Sequence, residues 1–96
     1  MKVRFFLLAQ QELDAAYAWY NEQADGLGKE FLDESDRAVR RIVAFPLSCP
    51  EIDTWLRRCL LARFPYGLDG NTIVVVAVEH LDRKPRYWAD RYIPPG

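Results

Sequence analysis

The chain has 96 residues, of which 50% are hydrophobic and 28% are charged. This length is sufficient for one hydrophobic core and excludes a second, so residues 1–96 are predicted to form a single domain. The net charge of −1 hides an asymmetry, because residues 1–54 hold six Lys/Arg and ten Asp/Glu whereas residues 55–96 hold seven and four. The carboxyl-terminal part is therefore the part suited to a phosphate backbone or an acidic partner.

The sequence offers no export signal and no membrane span. The apolar run Phe5–Ala9 is shorter than the roughly 7 residues that a signal peptide needs, and no run approaches the ~18 that cross a bilayer. A cytoplasmic protein without membrane contact is predicted. Cys49 and Cys59 could pair, but in a reducing compartment they are expected to remain buried thiols, and their spacing suggests neither a metal site nor a cofactor.

The amino-terminal half predicts a strand followed by two helices. Lys2–Leu8 is a short, mostly apolar strand that must pair with a central one. From Ala9 to Ala24 apolar residues recur at intervals of three and four, which is typical of an amphipathic helix. The tetrad Asp25-Gly26-Leu27-Gly28 ends it with a left-handed turn, and a second helix covers Lys29–Phe45 before Pro46.

The carboxyl-terminal half predicts the remaining strands. Trp55–Ala62 is a candidate strand, a very short strand follows the Phe64-Pro65 break, and Asp69-Gly70-Asn71 predicts a tight turn. The β-branched run Thr72–Val78 predicts a central strand that is covered on both faces. The predicted fold is α+β with the order βααβββ, in which an antiparallel helical hairpin covers one face of a small, mainly antiparallel sheet.

Several of these segments together resemble a known family. They are Trp19-Tyr20, the turn Asp25–Gly28 followed by Phe31, the helix stop at Pro46, the run LRRCLLARFPYG, and the run AVEHLDRKPRYWADR. In this order, FPYG followed by V-x-H-x-x-R-x-P-x-Y-W is specific. Over roughly residues 3–91 the chain resembles the RelE/ParE superfamily of toxins from bacterial toxin–antitoxin modules, and the tail brings it closer to the ParE-like members.

The resemblance implies a toxin of a type II toxin–antitoxin, or plasmid stabilisation, system. Such a protein inhibits growth, uses no cofactor or metal, and is neutralised by a cognate antitoxin from the neighbouring gene, as a homodimer or in a toxin–antitoxin hetero-oligomer. ParE-like members poison DNA gyrase, whereas RelE-like members are endonucleases that cleave mRNA on the ribosome. The gyrase reading is favoured, and whether the protein is an enzyme stays open.

The resemblance carries over to the RelE-like catalytic positions only in part. Tyr87 matches the family's tyrosine after the last strand, and Arg63 matches an arginine of the sheet. The position of the family's arginine after that strand is occupied by Leu81, and residues 55–63 contain no lysine. These departures favour the ParE-like function.

If the protein is nevertheless a ribonuclease, His80 is the candidate general base. It is the only histidine, and its ordinary pKa lies near neutrality. Arg83 would then stabilise the charge that develops on the phosphate, and Tyr87 would complete the site. The alternative is that His80 caps the end of the strand by hydrogen bonding to backbone.

The tail combines cations with aromatic rings. Arg83, Arg86 and Arg91 are interleaved with Tyr87 and Trp88, a pattern that can bind phosphates and stack bases. An equally open alternative is a solvated tail that packs one aromatic ring on the core.

A second cationic group lies in the predicted strand Trp55–Ala62 and just beyond it. Arg57 and Arg63 are an even number of residues apart and would share one face if the strand continued. They would contact the target or a nucleic acid, or else pair with the acidic residues of the second helix, Asp33, Glu34 and Asp36.

The hairpin before the central strand is short, since only Gly67–Asn71 separate Tyr66 from Thr72. We expect it to leave an unpaired sheet edge. This supports a third reading, in which the chain is a divergent, non-toxic binding module. The edge, or the outer face of the helical hairpin, is where an antitoxin segment would add a strand or lay an apolar helix.

Overall fold

The computed structural model describes residues 1–53, 55–59, 63–79 and 87–91. Within these ranges the elements follow the order β1 (Lys2–Phe5), α1 (Leu7–Gln23), α2 (Leu27–Ala44), β2 (Glu51–Asp53), β3 (Leu56–Arg57), β4 (Tyr66–Asp69) and β5 (Thr72–Val75). The predicted α+β fold class is confirmed. Both predicted helices are present, and each begins two residues earlier than its sequence pattern indicates.

The strands form one sheet in the order β1-β5-β4-β3-β2. β1 runs parallel to β5, from Lys2 opposite Thr72 to Phe5 opposite Val75. The other neighbours are antiparallel. The sheet is therefore mainly antiparallel, and the prediction that the first strand pairs with the apolar run is confirmed.

The run Ile73–Val78 is buried on both faces, as its composition predicts. Ile73 and Val75 belong to a cluster with Ile42 of α2, on the side of the sheet that the helices cover. Val76 belongs to a second cluster with Trp88. Past the end of β5 the backbone stays bonded, since Val76 N–H donates to Pro65 O at 2.9 Å and Glu79 N–H donates to Arg63 O at 2.8 Å.

The two glycines at the start of the second helix have different structural roles. Gly26 has φ of 88°, which is the left-handed conformation that the turn requires. Gly28 lies inside α2, and a Cβ there would meet the Tyr17 ring at 2.8 Å and the Tyr17 carbonyl oxygen at 2.9 Å. Gly28 is therefore needed for the close approach of the helices, and only Gly26 for the predicted left-handed turn.

The prediction of one strand over Trp55–Ala62 is wrong. The chain reverses between Asp53 and Leu56, which are paired, and only Leu56–Arg57 form the strand next to β4. Residues 60–62 lie outside the described residues. The reversal is held by bonds across the hairpin, such as Arg58 N–H to Pro50 O at 3.1 Å, and no local sequence pattern marks these bonds.

The prediction of two thiols is also wrong, because Cys49 and Cys59 are joined in a disulfide. The reversal between β2 and β3 brings their Cα atoms to 4.8 Å, within the range that a disulfide spans. The expectation of thiols rests on the predicted reducing compartment and takes no account of this geometry. The geometry follows from a hairpin that the sequence analysis did not predict.

The short hairpin does not form a sheet edge. β4 lies between β3 and β5, and β5 lies between β4 and β1, so the expectation of an unpaired edge there is wrong. Among the strands of the described ranges, β1 and β2 lie at the edges of the sheet. The turn itself is as predicted, with Gly70 at φ 59°.

No helix in the described part of the chain is long and apolar enough to span a membrane.

Gly28→Ala tests the helix packing. Alanine normally stabilises a helix by about 1 kcal/mol relative to glycine, but here its Cβ would force α1 and α2 apart. We expect a net loss of about 1–3 kcal/mol in the free energy of unfolding, as for other overpacked sites. Urea unfolding followed by circular dichroism measures it. A variant more stable than the wild type would show that the helices do not approach this closely.

Candidate functional site

The predicted site residues divide into described and undescribed positions. His80, Arg83 and Arg86 lie outside the described residues. The structure places the other five, which are Arg57, Arg63, Tyr87, Trp88 and Arg91. They do not form a single patch, and several of them have partners within the protein.

Arg91 is held by a carboxylate of the first helix. Its Nη1 and Nη2 atoms donate to the two oxygens of Glu12 at 2.8 and 3.1 Å, and Val78 N–H donates to the same carboxylate at 3.1 Å. The Arg91 and Glu12 side chains are only 13% and 15% exposed. This bidentate pair ties the tail to α1 and to the end of the buried run, and we call it the tail clamp.

The tail clamp lowers the pKa of Glu12 below its ordinary value. Burial alone would raise the pKa, but the hydrogen bonds and charge of Arg91 and the Val78 N–H outweigh it. The Tyr87 hydroxyl also acts on this carboxylate. However, it has one proton and donates to Val78 O at 2.9 Å, so we attribute the lowered pKa chiefly to Arg91.

The two aromatic residues of the tail are part of the same packing. Tyr87 lies under the Arg91 guanidinium, which is 5.1 Å from the ring centroid. Trp88 is 0% exposed and packs with Leu56, Val76 and Ala77 on the second core cluster. This placement favours the alternative in which the tail packs an aromatic ring on the core, because stacking a base on Trp88 would require its removal from that cluster.

Arg57 faces the helix layer and is engaged there. It is opposite Tyr66, which is opposite Val75, so its side chain emerges on the side of the sheet that carries α1 and α2. Its Nη1 donates to the carbonyls of Leu47 and Cys49 at 3.1 and 2.8 Å, and its Nη2 contacts Glu51 at 3.0 Å.

The predicted pairing of Arg57 and Arg63 with the acidic residues of α2 is not found among the described ion pairs. Asp33 pairs with Lys29 and Asp36 pairs with Arg40, both within the helix. Four-residue spacing on a helix favours such local partners. Arg58 instead meets Glu79 at 2.7 Å.

Arg63 is the described candidate arginine that remains available. It is exposed and makes no ion pair with any other described residue. It borders a groove whose other lining includes Tyr20, Phe31 and Glu34, with the Tyr20 and Phe31 rings stacked at 5.0 Å. Arg57 borders a separate groove with Leu47 and Trp55. The single Arg57–Arg63 face therefore does not form.

The carboxylates that pair with the arginines are not among the residues predicted from the sequence. Glu12 pairs with Arg91, Glu51 pairs with Arg57, and Glu79 pairs with Arg58. A signal existed for Glu12, which is three residues after buried Ala9 and four before buried Ala16 and so lies on the apolar stripe of α1. In the described ranges, no group of three or more His, Cys, Asp or Glu could hold a metal ion.

Glu12→Gln tests the tail clamp. Glutamine keeps an acceptor but removes the charge opposite Arg91, so at neutral pH we expect a loss of about 1.5–3 kcal/mol in the free energy of unfolding. As a matched control, Asp33→Asn removes an exposed pair with Lys29 and should cost less than about 1 kcal/mol. Equal effects of the two substitutions would contradict a buried, structural pair.

The same variant has a defined pH dependence. The pKa of Glu12 is lower in the folded protein than its ordinary value of 4.5. Its stabilisation is therefore complete above about pH 4.5 and is lost as the pH falls through the lower folded-state pKa. The difference in stability between wild type and Glu12→Gln should be constant at neutral pH and shrink on acidification. A difference that grew in acid would show that folding raises the pKa of Glu12 instead of lowering it.

Comparisons with known proteins support the fold. No family profile matches the chain, and no curated protein matches it. Among solved structures, the chain is similar to one described as the chromosomal ParDE TA system from P. aeruginosa. The similarity has a TM-score of 0.58 at 16% identity and covers 85% of this chain and 97% of the other. At this identity the match establishes that the chain has a fold like that of a ParDE chain.

Proposed function

We propose that this protein is the toxin component of a type II toxin–antitoxin module, acts in the cytoplasm, and is neutralised by a cognate antitoxin. The observation that carries the proposal is the fold match to a ParDE chain along 97% of that chain's length. The sequence resemblance supports it independently, through the FPYG corner and the tail motif. Both lines support a small α+β component of a toxin–antitoxin module.

We further propose that its target is DNA gyrase rather than mRNA. A metal-free ribonuclease needs several catalytic groups that converge on one surface. Tyr87 donates its hydroxyl proton to the backbone of Val78, and Arg91 is neutralised by Glu12. With Leu81 in the position of the family's arginine, a ribonuclease would have to rely on His80, Arg83 and Arg63, without the family's full catalytic set. A binding function makes no such demand.

Growth arrest on induction is the first test. Produced without its antitoxin in a bacterial host, the protein should cause filamentation and a DNA-damage response while translation continues. In a purified reaction it should inhibit supercoiling by gyrase. Rapid collapse of protein synthesis with mRNA cut inside codons, abolished by His80→Ala, would instead establish the endonuclease. Absence of any growth effect from a folded protein would favour the non-toxic binding module.

Arg63→Ala tests the groove in the same supercoiling reaction. Because Arg63 is exposed and makes no ion pair with another described residue, its loss should not affect folding. We expect the inhibitory concentration to rise about tenfold if it anchors the target. Arg40→Ala is the matched control, since Arg40 is exposed on α2 and engaged with Asp36. Equal effects of the two variants would remove Arg63 from the target-binding surface.

The antitoxin complex should resist salt. Arg57 and Arg91 already have internal carboxylate partners, whereas large apolar side chains such as Trp19, Leu47 and Trp55 are exposed. A flexible antitoxin segment must offset its ordering cost with apolar anchors. Between ~0.1 and ~1 M salt, where the screening length falls from ~10 to ~3 Å, affinity should change less than about tenfold. Weakening by orders of magnitude would show a chiefly ionic interface.

A further inference from the structure

The disulfide closes a loop that already has other restraints. Cys49 follows α2 and Cys59 follows β3, with ten residues of sequence separation. Cys49 is 5% exposed, whereas Cys59 is partly exposed at the rim of the same core cluster. The bridge thus joins the segment before β2 to the segment after β3, and both segments belong to the hairpin that carries Arg57.

Several hydrogen bonds hold this loop in place without the sulfur atoms. Arg57 donates to the carbonyls of Leu47 and Cys49. Arg58 N–H donates to Pro50 O at 3.1 Å, and the Tyr66 hydroxyl donates to Pro46 O at 2.8 Å. These bonds connect the loop 46–50 to β3, to Arg58 and to β4, and none of them involves the sulfur atoms.

We propose that Cys49 and Cys59 form a reversible redox pair that sets the stability of the folded protein without being required for folding. The oxidised form has the constrained hairpin, and the reduced form keeps the same arrangement through the Arg57 bonds. The protein can therefore exist folded both in a reducing compartment and under oxidative stress. This inference does not depend on the proposed toxin function.

Reduction by a dithiol follows ordinary thiol–disulfide exchange. A thiolate of the dithiol attacks Sγ of Cys59, the more accessible cysteine, and Cys49 leaves as a thiolate that takes a proton. The second thiol of the dithiol then attacks the dithiol sulfur that is bonded to Cys59, and Cys59 leaves as a thiolate that takes a proton. One S–S bond breaks in the protein and one forms in the reductant, with transfer of two electrons and two protons. Glutathione disulfide reverses the process.

Loop closure determines the size of the effect on stability. Crosslinking a loop of about ten residues restricts the unfolded chain, and the chain-entropy model assigns such a loop roughly a hundredfold change in the ratio of folded to unfolded protein. The native contacts change little, because the hydrogen bonds remain. The redox state should therefore alter the unfolding midpoint and leave the secondary structure unchanged.

The experiment uses the full chain with dithiothreitol or with glutathione disulfide, followed by thiol alkylation and mass measurement. We expect two alkylated cysteines after reduction, an unchanged circular dichroism spectrum, and a folded-to-unfolded ratio about a hundredfold smaller in urea. On dilution into glutathione disulfide the intramolecular bridge should re-form at a rate independent of protein concentration. Unfolding on reduction, or re-oxidation to linked dimers, would overturn the proposal.

Two variants separate the bridge from the hydrogen bonds. The double substitution Cys49→Ser with Cys59→Ser should have the stability of the reduced wild type and no response to dithiothreitol. Arg57→Ala should stay folded when oxidised, but when it is reduced its loop 46–50 should no longer be held against β3. Arg40→Ala should behave as wild type in both states. If Arg57→Ala responded to reduction no more than Arg40→Ala, the Arg57 bonds would not be the restraint that preserves the reduced fold.

Discussion

The burial of Ile73–Val78 on both faces is the constraint on which the rest of the fold depends. Every residue of this run is at most 3% exposed, so apolar surface has to cover it from two sides. The helical hairpin supplies one cover, and Trp88 of the tail supplies part of the other. The tail therefore has to turn back onto the sheet. The Glu12–Arg91 pair fixes that return by joining its end to α1.

The helices, the apolar strand and the tight turn could be predicted because their signals are local. Three- and four-residue spacing marks α1 and α2, a β-branched run marks β5, and Gly70 marks the turn. The β2–β3 hairpin has no such signal. Its strands have three and two residues, and its shape depends on bonds from Arg57 to carbonyls eight and ten residues away. The disulfide was missed for the same reason.

The candidate site was harder to predict than the fold because an arginine's role depends on what lies beside it in space. Arg91 and Glu12 are 79 residues apart in the chain, and neither position alone indicates the pair. The sequence marked the tail as cationic and aromatic, and the structure converts Tyr87 and Trp88 largely into packing residues. Of the described candidates, Arg63 retains the exposed character that the sequence analysis assigned to the group.

These pairings change how the charge of the carboxyl-terminal part should be understood. Residues 55–96 carry seven cationic and four acidic side chains, yet Arg57 and Arg91 are neutralised by carboxylates from residues 1–54. Part of the positive charge that the composition of residues 55–96 suggests is therefore paired within the protein. What remains for long-range attraction of a polyanion is smaller than the composition suggests. Of the candidate arginines in the described ranges, Arg57 and Arg91 are paired and Arg63 borders a different groove from Arg57, so these three residues do not form a broad cationic face.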